Sequence, residues 1–466
     1  MDEFQRQTLQ RLPLAEAALR VWAWITDAPF LNQLYQRYRG RSFEKVLTFP
    51  VMVYLMAEAL LHHRGSGRRA FLHARQQGTL ETSITAAFGK LRRLPIPLSM
   101  GFLADCTAQL MQLFPEAIEA VPLPASLAGL EPVVLDGKAI KRVAKRLKVL
   151  QGVKGGVLGG RALVALRLRQ GVVVAMHAHP DGHVNDVRFV PDLLPRVRQL
   201  VPGTRLFVGD RQFCLVAHLA HYQEAGDHFL LRYSKNVQFR RDPRRPVRTN
   251  RDADGRRVVD EWGWLGSPKH PQRSYVRRMT LERPGDEPIQ VVTDLVDADA
   301  YPAAELLSLY RERWGIERVF QQVTEVFGLQ GLIGSSPRAT VFQFAFCLLL
   351  YNLLQVVRAY VAQGSKHQIG EVSTEMLFRD VQDQLIAWYQ MVPAGETATV
   401  IVPLDLKATC RRLREQLAGV WKEVWRKSPK RTRGPSRHTG HPSHVSAHRL
   451  LQGTSHKSKP TNATVK

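Results

Sequence analysis

Apolar residues recur at helical spacing through the first 125 residues. EAALRVWAWI, VMVYLMAEALLHH and ADCTAQLMQLF each place a nonpolar side chain every three to four positions, and RGSGRR and LPIPLS between them carry the glycines and prolines that end helices. The pattern predicts a helical domain. From about Glu131 the period shortens: VVLD, RALVALRLR and GVVVAMHAH are β-branched runs of strand length separated by glycine-containing turns, predicting an antiparallel meander. DVRFVPDLLPRVRQL then reads as a helix, LFVGD as a strand, DRQFCLVAHLAHYQEAG as a second helix and HFLLRYS as a fifth strand. After Asn236 this order is interrupted by a basic stretch in which VVDEWGWLG and RSYVRRMTLE read as short strands, and VVTDL from Val291 returns to the core. Residues 309–329, LYRERWGIERVFQQVTEVFGL, are predicted as one helix with two lines: Val319, Phe320, Val323 and Phe327 apolar, and Tyr310, Arg313 and Glu317 polar. The apolar run 341–360 contains Gln343, Asn352, Gln355 and Arg358, so it reads as a buried core helix rather than a bilayer span. Residues 366–425 are amphipathic and helical in pattern.

Charge narrows the partner. Lys and Arg number 66 against 41 Asp and Glu, a net charge of +25, which points to a polyanion and to nucleic acid before membrane. Arg64, Arg68, Arg69, Arg75, Lys90, Arg92 and Arg93 give the helical region a basic side, suited to phosphates or simply to solvent. The tail, 426–466, is basic, acid-free and rich in Pro, Ser and Gly, so disorder is expected; its His438, His441, His444 and His448 are a weak metal signal. Cys106, Cys214, Cys347 and Cys410 lack C-x2-C spacing and predict neither a disulfide framework nor a zinc site. The first residues, MDEFQRQTLQ, lack the pattern of a secretory signal, so the expected location is cytoplasmic, at the nucleoid.

Two strands end in aspartate. Asp136 closes PVVLD and Asp210 closes LFVGD, and a helix carrying Glu317 follows, the set of oxygens that two divalent metals on a mixed sheet would need. Asp181, Asp186 and Asp192 compete for that role but fall in a turn or at a helix start, where aspartate is a common cap. Lys138, Lys141, Arg142, Lys145, Arg146 and Lys148 follow Asp136 closely and read as a phosphate-gripping loop or a solvated one. Trp262 and Trp264 could stack on unpaired bases or fill the core of a small sheet.

These stretches resemble the DDE transposases of bacterial insertion sequences, the cut-and-paste group with the signature Y-x2-R-x3-E-x6-K. Tyr310, Arg313 and Glu317 match it, and Thr324 stands where the lysine belongs. Asp210-Arg211-Gln212-Phe213 is similar to the D-R-x-F element, and FLLRYSKN and VVTDL are similar to the strands that follow it. The resemblance implies an α/β fold: a ribonuclease H-like catalytic core (126–235 and 288–360), a β-rich basic insertion (236–287), a helical N-terminal domain with DNA-binding function (1–125), a helical C-terminal region (361–425) and the disordered tail (426–466). It implies Asp136, Asp210 and Glu317 as catalytic metal ligands for two Mg²⁺ ions, with Mn²⁺ as a substitute. Tyr310, Arg313, Trp314, Arg211 and Lys138 are implied to contact double-stranded DNA, at transposon ends and target, within a homodimer away from any membrane. The alternatives are a non-cleaving DNA-binding derivative, which the missing lysine would suit, and a ribonuclease H-like nuclease without strand transfer.

Overall fold

Strand β1 (Leu130–Ala139) is an interior strand of a ten-stranded mixed sheet, third from one edge. The structure, a computed structural model, describes residues 3–63, 65–116, 118–140, 153, 157–269, 272–283, 287–326, 329, 333–334, 336–391, 401–427 and 445–455. After β1 come β2 (Val157–Leu158), β3 (Arg161–Arg167), β4 (Val172–His179), β5 (Thr204–Gly209), β6 (His228–Arg232), β7 (Phe239–Arg241), β8 (Arg248–Arg251), β9 (Arg257–Leu265), β10 (Ser274–Leu281) and β11 (Ile289–Thr293). The sheet order is β4-β3-β1-β5-β6-β11-β10-β9-β7, with β8 also on β9. β1, β3 and β4 are antiparallel, as their glycine turns predict, whereas β5 runs parallel to β1 and β6 parallel to β5. The basic stretch does not stand apart: its strands β9 and β10 extend the same sheet through β11.

Alternation along the strands makes two buried faces. Val133, Leu135, Leu163, Ala165 and Phe207 pack against α8 (Val190–Leu200) and α9 (Val216–Gln223). Val134, Ala162, Val164, Leu206 and Val208 join a second cluster with the N-terminal helices. Those helices are α1 (Glu3–Gln10), α2 (Pro13–Ile25), α3 (Ala28–Tyr38), α4 (Phe49–Ala57), α5 (Gly67–Gln76), α6 (Ile84–Arg93) and α7 (Ile96–Met111). Each Val, Leu or Phe among these side chains taken fully from water contributes about 1.5–3 kcal/mol.

Helices α10 (Ala303–Glu312) and α11 (Trp314–Glu325) precede α12 (Pro337–Ser365), around which the second cluster is assembled. By length and composition α12 could cross a membrane, yet its apolar window is entirely buried inside the protein. Asn352 fixes it against the edge strand β4. Its side chain accepts from Val173 N at 2.9 Å and donates to Val173 O at 2.7 Å and to Thr107 Oγ1 at 2.9 Å, satisfying backbone groups that no further strand pairs. Helices α13 (Thr374–Met391) and α14 (Leu406–Leu417) pack on α2.

Two expectations change. The segment predicted as one helix is divided at Arg313, where the i→i+3 bonds Arg313 N→Tyr310 O and Ile316 N→Arg313 O, both 3.1 Å, replace the wider helical ladder. In the tail, disorder does not describe 445–455: β12 (Val445–Ser446) pairs in parallel with β2, and α15 (Ala447–Ser455) follows, with Ala447 buried on Val157 and Arg449 Nε 2.7 Å from Asp181 Oδ2. A partner strand supplies the order that composition alone could not. His438, His441, His444 and the basic loop residues 141–148 lie outside the described residues.

Candidate active site

Register brings the two strand-end aspartates together. Leu135 of β1 is paired with Gly209 of β5, so Asp136 and Asp210, one residue further along, leave neighbouring parallel strands side by side. Gly209 is in turn paired with Leu231 of β6, which places Arg232 next in the row. Asp136 accepts from the Gly137 N–H at 2.8 Å, and Asp210 accepts from the Arg211 N–H at 2.7 Å and starts a short turn anchored by the fully buried Phe213. Gly137 is required there, because a Cβ on it would collide with the carboxylate of Asp186 beneath the strand. Glu317 joins them from the first turn of α11, whose inner side, Val319, Phe320 and Val323, is buried.

Arg313, only 3% exposed at the division between α10 and α11, sits among these groups. Its Nη2 donates to Glu317 Oε1 at 3.2 Å. Burial works against its charge, but Tyr310, Asp210, Asp136 and Glu317 around it hold that charge in place. One arginine does not neutralise three carboxylates. Burial pushes the Asp136 carboxyl up to about 7, with the charges of Glu317 and Asp210 adding to the rise while Arg313 and the Gly137 N–H oppose it. The Nε of Arg313 is buried without a hydrogen-bond partner among the described residues. A shared set of hard oxygen donors carrying excess negative charge fits a divalent cation of the Mg²⁺ kind.

The other sequence candidates are distributed around this centre. Tyr310 is buried at Arg313, its hydroxyl pushed up to about 12 chiefly by burial. Trp314 is 54% exposed, with the Arg313 guanidinium 5.1 Å over its ring, so it lies at the surface and not in the core. Arg211 is exposed, and Lys138 is half-buried with Nζ 5.3 Å from the Phe320 ring. The competing aspartates are engaged elsewhere: Asp181 with Arg449, Asp186 with Arg161 at 3.1 Å, and Asp192 near His177 at 3.8 Å. Trp262 is core, donating from Nε1 to Val296 O at 2.8 Å, and Trp264 is half-buried beneath Arg240. Among the N-terminal cations Lys90 is no phosphate contact, because it is buried and donates to Phe43 O at 3.1 Å.

Thr324, in the lysine position, donates its hydroxyl to Phe320 O at 2.6 Å. Arg232 carries no sequence signal of its own. It ends a strand in the same row as Asp136 and Asp210, lies near enough to Tyr310 to act on its hydroxyl, and lines a polar cleft with Arg211, Ser234, Lys235 and Glu287.

Parts of the chain are similar to known proteins. Residues 133–353 match the transposase DDE domain family, a segment that contains all three carboxylates. Over 178 residues, 38% of this chain, the sequence is 22% identical to "Putative transposase y4zB" of Sinorhizobium fredii. The match spans about half that relative's length, 47%. A solved structure, a piggyBac transposase synaptic complex with hairpin DNA, is similar at a TM-score of 0.39 and 12% identity, covering 91% of this chain and 87% of that one. A DDE domain implies dependence on a divalent metal, and the matched segment and the curated relative support a DDE transposase.

Proposed function

We propose that this chain is the transposase of a bacterial insertion sequence of the Y-R-E-K group, cutting its element from DNA and joining it to a target by in-line attack on phosphorus. The carrying observation is the meeting of Asp136, Asp210 and Glu317 around Arg313, on two strand ends and one helix of a sheet ordered as in a ribonuclease H-like core. Asp136, Asp210 and Glu317 would hold two Mg²⁺ ions, or Mn²⁺ in their place, which supply activation of water or a 3′-hydroxyl and stabilisation of the leaving oxygen.

The chain's own residues prepare the rest. Arg313 orients Glu317 through the 3.2 Å bond, and its buried guanidinium is fixed before substrate arrives. Trp314 offers an aromatic face to a displaced base, while Arg211 and Lys138 flank the strand ends where a phosphate backbone would run. Double-stranded transposon ends and target DNA are the partners, two copies of the chain hold the two ends, and the work is done at the nucleoid. In this layout 1–125 binds DNA, 126–235 and 288–360 form the core, 236–287 is the insertion, 361–425 the C-terminal helical region and 426–466 the tail. Thr324 favours a second reading, a derivative that binds ends without cutting, because its hydroxyl is turned onto its own helix and carries no charge.

A nicking assay separates the two. On a duplex carrying the inverted repeats that flank the gene, the wild-type chain with Mg²⁺ should nick and Asp136→Asn should bind without nicking. Binding without nicking by the wild type selects the second reading, and equal nicking by both removes Asp136 from the chemistry.

A further inference from the structure

A second group of metal-binding side chains lies far along the chain from the carboxylates. After α4 the helix does not continue as α but widens into a π turn, Glu58–His62, closed by the i→i+5 bond His63 N→Glu58 O at 3.1 Å. The widening has a geometric consequence. In an α-helix the residue five positions on is turned about 140° away, whereas in a π turn positions i+4 and i+5 both flank residue i. Glu58 accordingly meets His62, Nδ1 to Oε1 at 3.0 Å, and also His63, Nε2 to Oε2 at 3.9 Å. His73 of α5 closes the group: its ring centroid is 5.4 Å from that of His63, and ligand atoms of Glu58, His63 and His73 all lie within 4.8 Å of one another.

Burial distinguishes this group from a solvated cluster. Glu58 is 4% exposed, and the Nε2 atoms of His62 and His63 are buried without a hydrogen-bond partner among the described residues. His62 is held between Glu58 and the Tyr389 ring, 3.6 Å between centroids, so it fixes one carboxylate oxygen and leaves the other directed at His63. His63 and His73 are partly exposed, which leaves a path from solvent. Two imidazoles and a carboxylate are the donors of a zinc-type ion with an open fourth position, and its bonds of about 2.0–2.2 Å require the three groups to close by a small side-chain adjustment.

We propose that Glu58, His63 and His73 bind a divalent transition-metal ion of the zinc class, with His62 as the positioning residue for Glu58. The ion ties the π turn to α5 and so fixes the corner at which the N-terminal helices turn. Its donor set, two nitrogens and one oxygen, separates it from the all-oxygen carboxylate site, and neither site depends on the other.

Cobalt(II) is the probe, titrated into the full chain in excess Mg²⁺. Wild type and Asp136→Asn should take up one equivalent with visible d–d bands, while His63→Gln and His73→Gln should lose about tenfold or more in affinity together with the metal-induced rise in Tm. Cobalt uptake in both histidine variants equal to wild type, or no such bands in the wild type, would overturn the proposal and leave Glu58 a buried carboxylate hydrogen-bonded to His62. Should either variant fold poorly by circular dichroism, anomalous scattering at the zinc edge from wild-type crystals decides: a peak among Glu58, His63 and His73 supports the site, and its absence there refutes it.

Discussion

Asp136 on β1, half-buried, and Asp260 on β9, fully buried, are carboxylates of one continuous sheet, each beside an arginine, and they are treated in opposite ways. Asp260 is gripped by Arg277 through two bonds, from Nε at 2.8 Å and from Nη2 at 2.5 Å, and Arg277 spends a further N–H on Tyr301 O at 2.6 Å. Both side chains are almost wholly out of water and the pair is closed upon itself. Asp136 shares a single arginine with Asp210 and Glu317, and its carboxyl is pushed up to about 7 by burial and by those two charges. Burial alone therefore does not mark a functional acid. What marks it is negative charge gathered without enough internal cation, which a structural pair never leaves over.

Substitution of the closed pair should have the largest effect. Asp260→Ala strands Arg277 in the interior and should lower unfolding free energy by about 3–5 kcal/mol in denaturant titrations. Asp136→Asn in metal-free protein should cost nothing or stabilise, because it removes repulsion; a loss as large as that of Asp260→Ala would erase the contrast. The pH response follows the same contrast with a definite sign. An acid whose folded pKa is raised binds its proton more tightly folded than unfolded, so metal-free stability should fall as pH rises between about 4 and 7 and level off above, and Asp136→Asn should flatten that fall. An unchanged slope in the variant would mean that another group titrates.

Smaller effects test the surroundings of the open set. Gly137→Ala forces Asp186 away from the strand that carries Asp136 and should cost about 1–3 kcal/mol, with slower nicking. A neutral result in both assays would show that the strand yields freely. Thr324→Lys should steepen the slope of log K against log[salt] for end binding by about 0.9, the contribution of one added phosphate contact. No change in slope would place position 324 away from DNA.

Much of this was readable in the chain because strands that end in Asp announce themselves: an apolar run needs no carboxylate at its end. That rule, pairing and all, extends to Arg232, yet arginine at a strand end is so ordinary in a basic chain that only the β1-β5-β6 register singles it out. The division at Arg313 escaped because its side chain suits either a continuous helix or a tightened turn, and the choice is made by packing. Trp314 is the opposite case, since an isolated tryptophan usually packs and here tertiary context leaves it outside. The π turn has no periodic signature in LLHH, and β12 depends on β2, a partner nearly 300 residues earlier by order-of-magnitude separation, about which local propensity carries no information.

Asp136, Asp210 and Glu317 should make one divalent-metal site. Anomalous scattering from crystals of the full chain grown with Mn²⁺ tests it most directly. Manganese should be found in bonding contact with all three carboxylates in the wild type and be lost from that place in Asp136→Asn. Manganese bound elsewhere only, or any one of the three carboxylates lying more than about 10 Å from the other two, would contradict the account.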